Sequence, residues 1–360
     1  MPSARLILLA AICWSVHAQT AVQPLLKEGD AAFQAGDYTA ARQFFEKALK
    51  IAPANSQTRY DVLKRLTSAS AAAGQFADAQ NFLGQAIEWR ESTLGPKDPK
   101  IADDLVLSVN LEVRTKDFDR ALATAQRVQS IHSAAYTWDS IPVADDLMRM
   151  GQIYMLQKQP NLAIRPFIAA LEIRTRLLGS LDAGLLPVLD RSNDAFEAMG
   201  HGNASMYRQA LAIRETLYGT DSPELISTID GLANTYYKEQ MYAAAEPLYL
   251  RLVALWERVG GKDHPMVAVV LDKLVVFYAK EGEMEKARAA LARSVAIRSG
   301  FLAVGLSHQA ADEISQDHQE RAKALYRQAL IALGAPTPAN EDLIEQIRKA
   351  LSDLQTPATK

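Results

Sequence analysis

A small residue returns at nearly even spacing along most of this chain of 360 residues. Successive members lie 38, 42, 42, 40, 42 and 42 residues apart, and apolar residues follow them at +4 and +7. That spacing puts the apolar residues on one stripe of an α-helix, and a period of about 20 to 50 residues is typical of stacked repeats. The series therefore predicts helical repeats, and its members are Ala41, Ala79, Ala121, Ala163, Asn203, Ala245 and Ala287.

The residues before each alanine predict a tight turn between two helices. Gly36, Gly74 and Gly282 each lie two residues before an aromatic residue or methionine, and Lys116 stands at the same place before Ala121. The small residue of the series lets the paired helix approach closely. A single pair would leave much of its apolar face exposed, so the pairs are expected to stack.

A second recurring segment predicts the joint between one helix pair and the next. Glycine can end a helix in the left-handed conformation, Asp or Ser can cap the following helix, and proline suits its first position. These segments are 95–99, 219–223 and 260–265.

These features resemble tetratricopeptide repeats. Residues 29–53 look like the ordinary repeat of about 34 residues. The later units are similar to the longer kinesin-light-chain-like type, through Leu232-Ala-Asn-Thr-Tyr-Tyr, Ala245-Glu-Pro-Leu-Tyr249 and Gly261-Lys-Asp-His-Pro265. The resemblance spans residues 22–333 and implies an all-α fold, a right-handed superhelix of helical hairpins.

The first residues predict a signal peptide in 1–18. Arg5 supplies the positive charge, an apolar stretch follows from Leu6, and Val16 and Ala18 are the small residues that a signal peptidase reads. Cleavage after Ala18 would export the chain to a periplasmic or secreted location and remove Cys13, its single cysteine. Lipidation at Cys13 is the alternative, but Ile12 precedes it where lipoprotein signals have a small residue.

The rest of the chain divides into a repeat array of about seven to eight helical hairpins in 19–333 and a C-terminal region in 334–360. The unit around Asn203 lacks the alanine and is expected to contain a shortened helix or a kink. After Ser299 the repeat pattern fades, although residues 322–330 still resemble a second helix. Residues 340–354 predict an amphipathic helix that covers the end of the stack, and a frayed tail follows.

Known catalytic and nucleotide-binding motifs are missing from the sequence. It has no Gly-rich phosphate loop and no His-Glu-x-x-His, and its histidines are scattered over different units. A net charge of −3 gives no attraction for nucleic acid. The acidic pairs 103–104 and 145–146 are interpreted as stabilising helix N-termini, and Trp89 and Trp256 as packing between repeats. No enzymatic activity, cofactor, metal, nucleic acid or membrane span after signal cleavage is expected.

The resemblance implies where a protein or peptide partner would bind. First helices line the concave groove in this family, and inward side chains that packing does not need contact the partner. The clamp that some relatives use for a C-terminal carboxylate is not expected, because Leu26 and Asp30 stand where it needs Lys and Asn. The candidate groove residues are Lys64, Ser68, Asn110, Arg114, Arg149, Gln152, Asn234, Tyr237, Lys238, Lys273 and Lys280.

The hypothesis that follows is an exported interaction scaffold without enzymatic activity. One alternative is an accessory subunit of a cell-envelope enzyme, secretion or assembly complex. Another is an enzyme in its own right, whose residues would cluster in the irregular region with Arg191 and His201. The partner and the oligomeric state are not predicted.

Overall fold

The computed structural model describes residues 20–337 and 340–354, so the predicted leader and the tail after residue 355 lie outside the described residues. Every regular element in those ranges is helical, which confirms the all-α prediction. The helices are α1 (20–34), α2 (Tyr38–Ile51), α3 (Gln57–Ala72), α4 (Phe76–Leu94), α5 (Pro99–Arg114), α6 (Phe118–Tyr136), α7 (Ile141–Leu156), α8 (Pro160–Leu178), α9 (Leu186–Ala198), α10 (Ala204–Tyr218), α11 (Ile226–Lys238), α12 (Tyr242–Gly260), α13 (Pro265–Lys280), α14 (Met284–Ser315), α15 (Gln319–Leu333) and α16 (Glu341–Asp353). Single 3₁₀ turns, Ala183–Leu185 and Pro223–Leu225, precede α9 and α11.

The chain divides into two compact units, Met1–Met199 and Gly200–Lys360. Unit 1 contains α1 to α9 and unit 2 contains α10 to α16. From α2 onward in unit 1, and throughout unit 2, each helix packs against the next one in sequence. This order is what hairpins with short turns produce.

The recurring alanines are the contact points of the helix pairs. Ala41, Ala79, Ala121, Ala163 and Ala245 have no solvent-exposed surface, because each faces the partner helix of its own pair or the next. A methyl group at these positions lets helix axes approach closely, and the larger apolar residues at +4 fill the space beside it.

The turn inside each pair is the left-handed helix end that the sequence predicts. Gly36 has φ 81°, and Lys116 adopts the same conformation with φ 62° although it is not glycine. In both turns a backbone N–H reaches back five residues, from Asp37 to the Ala32 carbonyl at 3.0 Å and from Asp117 to the Glu112 carbonyl at 2.9 Å. These bonds satisfy carbonyls that a helix end otherwise leaves without donors.

The joints between pairs also follow the prediction, with one exception. Gly95 has φ 87°, and the Asp98 carboxylate accepts the Lys100 N–H at 2.9 Å at the start of α5. In the segment before α13 the cap is a histidine, since His264 Nδ1 accepts the Met266 N–H at 3.2 Å. The expectation of an Asp or Ser cap was therefore wrong there.

The irregular unit contains short helices, as expected. Helix α10 has 15 residues, whereas α8 has 19. Asn203 stands at the position of the recurring alanine and caps α10, because its Oδ1 accepts the Met206 N–H at 3.2 Å. The helix begins at that position instead of several residues before it, which accounts for the lost length.

The fading of the pattern after Ser299 has a structural reason. Helix α14 runs for 32 residues without a joint. Its second half takes the place of a first helix, and its Ala303 and Ala310 are buried with Tyr326 of α15 and Ile344 of α16. Helix α14 is also the one helix of the described ranges long and apolar enough to cross a membrane, by length and composition alone, with 22% of the relevant window buried.

Candidate partner-binding groove

One exposed polar position recurs on the first helices of unit 1. Ser68 on α3, Asn110 on α5, Gln152 on α7 and Asp194 on α9 follow one another at intervals of 42 residues, and all four are exposed. We call these four residues the polar column. Within the described part of the chain, the side chains of Asn110 and Gln152 make no hydrogen bond, so their donors and acceptors face solvent.

A cavity of about 400 Å³ lies between α3 and α5 and brings three predicted groove residues together. Ser68, Asn110 and Arg114 line it with Leu107 and the Phe76 ring. The Arg114 guanidinium lies 5.9 Å from the centroid of that ring and forms no ion pair with any described residue. The cavity therefore offers a cation, an amide and apolar walls.

A second cavity of about 250 Å³ lies between α7 and α9. Gln152, Arg191 and Asp194 supply its polar wall, and Met155 and Leu156 supply the apolar one. Arg191 Nη1 lies 3.4 Å from Asp194 Oδ2. Although Asp194 is exposed, its position beside α7 removes part of its solvent, which raises its pKa, and the neighbouring Arg191 opposes this shift.

Two other predicted groove residues of unit 1 are engaged by buried carboxylates. Lys64 Nζ lies 2.5 Å from Asp104, and Arg149 Nη1 lies 3.1 Å from Asp146. Each carboxylate side chain is 1% exposed. The interpretation of these aspartates as helix N-terminal charges was wrong, because they lie in the second turn of their helices. Asp104 pairs with cations of other helices, and Asp146 pairs with Arg149 of its own helix.

The Asp104 site is the feature that sequence reasoning missed. Its carboxylate also accepts the Tyr60 hydroxyl at 3.0 Å and pairs with Arg90 at 3.0 Å. Arg90 lies 4.2 Å over the centroid of the Tyr60 ring. Burial, with the nearby Asp104 charge, raises the pKa of Tyr60. The available signal was the spacing of 42 residues between Asp104 and Asp146.

In unit 2 the structure brings Asn234 and Lys273 together, but they bind each other and their neighbours. Lys273 Nζ lies 2.6 Å from Asp230 Oδ1 and 3.3 Å from Asn234 Oδ1. The Tyr249 hydroxyl donates to Asn234 Oδ1 at 2.9 Å. This network links α11, α12 and α13, so a partner would have to compete for these groups.

The remaining predicted residues of unit 2 lie near the C-terminal end of α11. Lys280 Nζ is 4.9 Å from the centroid of the Tyr237 ring, which contacts the Tyr242 ring at 5.8 Å. Lys238 Nζ donates to the Gly200 carbonyl at 3.2 Å. These contacts place Tyr237 and Lys280 side by side, with Lys238 directed to the turn before α10.

The tryptophans contact aromatic neighbours. Trp89 lies 5.2 Å from the Tyr60 ring of its own helix pair, and it packs against the same buried cluster as Leu49 of the preceding pair. Trp256 stacks on His264, in the joint that leads to α13, at 5.1 Å. Across residues 20–337 and 340–354, no group of three or more His, Cys, Asp or Glu side chains is arranged to hold a metal ion.

Two family models describing tetratricopeptide repeats match the chain, one over residues 32–93 and the other over residues 225–300. No curated protein matches the sequence.

Three solved structures illustrate the similarity in fold. One is a Podosopora anserina protein with nearly identical TPR-like repeats, 16% identical, covering 55% of this chain and 97% of its own, with a TM-score of 0.48. BtubC of P. vanneervenii is 19% identical and covers 66% of this chain and 92% of its own, with a TM-score of 0.47. A tetratricopeptide repeat protein of Parabacteroides merdae is 14% identical and covers 94% of this chain and 100% of its own, with a TM-score of 0.42. From the family models and the helix-pair geometry, we conclude that this all-α chain carries tetratricopeptide repeats in residues 32–93 and 225–300.

Proposed function

We propose that this chain is an exported scaffold without enzymatic activity, which binds an extended segment of a partner protein along the first helices of unit 1. The observation that supports this binding mode is the polar column, with Ser68, Asn110, Gln152 and Asp194 exposed at one register. Amides, hydroxyls and carboxylates at a fixed interval suit the backbone N–H and C=O groups that every extended peptide carries.

The spacing of the column sets the length of the segment. Packed helices lie roughly 8–10 Å apart, and an extended chain advances roughly 3.3–3.6 Å per residue. Successive column residues would therefore contact positions about three residues apart in the partner. A segment of about ten residues would extend along the whole column.

Arg114 gives the groove a charge preference. Its guanidinium forms no ion pair with the described residues and lies beside Asn110 in the larger cavity. An arginine–carboxylate contact is charge-assisted and often uses two parallel hydrogen bonds. The favoured partner segment therefore carries an acidic residue, or its own C-terminal carboxylate, opposite Arg114.

The 42-residue spacing supports the kinesin-light-chain-like subtype for the repeats after the first, and the burial of Ala303 and Ala310 in α14 supports a repeat helix instead of a membrane span. Export rests on the leader in residues 1–18. N-terminal sequencing of the chain from fractionated cells tests it: a periplasmic or secreted product that begins at Gln19 supports export, and an unprocessed cytoplasmic chain contradicts it.

Binding is tested by capturing partners from an envelope extract with the mature chain and cross-linking them to it. The partner segment that cross-links is then made as a peptide and titrated against the mature chain. A double variant, Asn110→Ala with Gln152→Ala, is expected to weaken binding about thirtyfold, because each of the two lost hydrogen bonds contributes about 1 kcal/mol. Arg114→Ala is expected to weaken it by about 10 to 100 times for an acidic segment.

The matched control removes the same side-chain types from exposed positions of second helices. Asn81→Ala with Gln126→Ala changes α4 and α6 and is expected to leave affinity unchanged. Equal losses in both double variants would contradict binding along the polar column. Co-purification with a single stoichiometric enzyme would instead favour the accessory-subunit alternative.

A further inference from the structure

One position on the second helices of unit 1 faces a buried carboxylate on the next first helix. Arg90 Nη1 on α4 lies 3.0 Å from Asp104 Oδ2 on α5. His132, which follows Arg90 by 42 residues, places Nδ1 on α6 2.7 Å from Asp146 Oδ2 on α7. A histidine thus occupies the place that an arginine occupies in the preceding pair of helices.

The two carboxylates are equally buried but differ in their other partners. Asp104 also pairs with Lys64 and accepts a hydrogen bond from the Tyr60 hydroxyl. One repeat later the corresponding register positions on α5 are Ala102 and Val106, which have no charge or donor on their side chains. Asp146 is left with His132 and with Arg149 of its own helix.

The other titratable and charged groups near this pair lie on α5 to α9. On α5, Glu112 accepts hydrogen bonds from Ser108 and from Thr124 of α6. On α7, Asp145 forms an ion pair with Arg174 of α8. On α6, the Tyr136 ring lies 5.8 Å from the imidazole. On α9, Arg191 and Asp194 pair with each other. Histidine is the side chain whose charge ordinarily changes between about pH 5 and 8.

We propose that His132 and Asp146 form a proton-controlled contact between α6 and α7, closed when the imidazole is protonated and weakened when it is neutral. Burial raises the pKa of Asp146, and the neighbouring His132 opposes that shift. The imidazole lies 2.7 Å from the buried carboxylate only in the folded chain, so the charged pair forms there and not in the unfolded chain, and by linkage the free energy of unfolding falls as the proton of the pair is lost at higher pH. This inference is independent of the proposed binding function.

The contact sets how firmly the pair α5–α6 is attached to the pair α7–α8. When the imidazole loses its proton, Asp146 keeps Arg149 as its one cation, so α6 and α7 are expected to open more often at the higher pH. At the junction of α4 with α5, Asp104 pairs with a lysine and an arginine, Lys64 and Arg90, and not with a histidine.

Hydrogen–deuterium exchange of the full chain at pH 5.5 and 8, corrected for intrinsic exchange rates, tests the proposal. Peptides from α6 and α7 are expected to lose about tenfold in protection at pH 8, and peptides from α4 and α5 are expected to change much less. In His132→Arg, which copies the α4–α5 junction, the loss in α6 and α7 is expected to disappear.

A neutral variant provides the second arm. His132→Gln is expected to give α6 and α7 the protection of the wild type at pH 8, at both pH values. If the arginine variant does not fold, this variant alone tests the proposal. His318→Arg, at an exposed pair with Glu313, is the control and is expected to behave as wild type. The proposal is overturned if the wild-type protection of α6 and α7 is the same at pH 5.5 and pH 8. It is also overturned if protection falls between these pH values as much in the His132 variants as in the wild type.

Discussion

Gly151 on α7 lies so close to the ring of Phe167 on α8 that a Cβ at residue 151 would be 2.3 Å from Cε1 of the phenylalanine. Gly29 and Phe45 repeat this relationship at 2.3 Å in the first helix pair. The large ring is accommodated because the facing helix has no side chain at that point. Core packing in these pairs therefore depends on a glycine and an aromatic residue together.

Gly151→Ala is expected to lower the free energy of unfolding by about 1–3 kcal/mol, because the methyl group would force Phe167 out of its packed position. Gly84→Ala is the control, since Gly84 is exposed in α4 and an added Cβ would meet nothing within 4 Å. The control is expected to gain about 0.5–1 kcal/mol from better helix propensity. Urea unfolding that gave both variants the same sign would contradict the contact.

Lys116→Gly is expected to stabilise unit 1 by about 1 kcal/mol, because Lys116 holds φ 62° in a conformation that costs a non-glycine residue energy. The corresponding turn positions Gly36 and Gly74 already have glycine. Lys50→Gly, in the last turn of α2, is the control and is expected to lose about 0.5–1 kcal/mol. Thermal unfolding monitored by circular dichroism gives both values, and a loss at position 116 would refute the prediction.

Asp104→Ala is expected to cost about 3–5 kcal/mol, because it leaves the cations Lys64 and Arg90 beside a buried site without their carboxylate. The adjacent Asp103 is exposed, so Asp103→Ala is expected to change stability by less than about 0.5 kcal/mol. Chemical denaturation compares the two. Similar losses would mean that Asp104 contributes only as a surface charge.

Glu112→Gln is expected to reduce the pH dependence of stability. Burial raises the pKa of Glu112 above its ordinary value of 4.5, although Thr124 and Ser108 donate hydrogen bonds to it. The folded chain retains this proton after the unfolded chain releases it, so the free energy of unfolding falls as pH rises above about 4.5.

Urea titrations between pH 4.5 and 7 measure this slope for the Glu112 variant and the wild type. Glu88→Gln, at an exposed position of α4, is the control and is expected to leave the slope as in the wild type. An unchanged slope in Glu112→Gln would show that another group is responsible.

The helices and their turns could be predicted because their signals are local. A small residue with apolar residues at +4 and +7, and a left-handed residue five positions before it, suffice to place two helices and the turn between them. The identity of a residue does not always reveal its backbone conformation. Lys116 adopts the left-handed conformation typical of glycine because the surrounding turn requires it.

The buried ion pairs could not be predicted because their partners are distant in sequence. Asp103 and Asp104 are chemically identical neighbours, and only packing decides that Asp104 faces Lys64 and Arg90. The predicted groove residues differ in their availability for the same reason. The Asn110 side chain is open to solvent, whereas Asn234 Oδ1 already accepts hydrogen bonds from Lys273 and Tyr249. The sequence did contain a signal for the long α14, because residues 284–315 lack the proline that ends each of the predicted joints.

Helix α14 joins two helix pairs of unit 2 without a break, unlike the second helices of the other pairs. Its 32 residues form a rod roughly 48 Å long at 1.5 Å per residue. The other second helices end at a joint before the next pair begins, but here the half that packs on α13 and the half that packs on α15 belong to one helix. One unbroken helix therefore joins α13 to α15, and α15 in turn contacts α16.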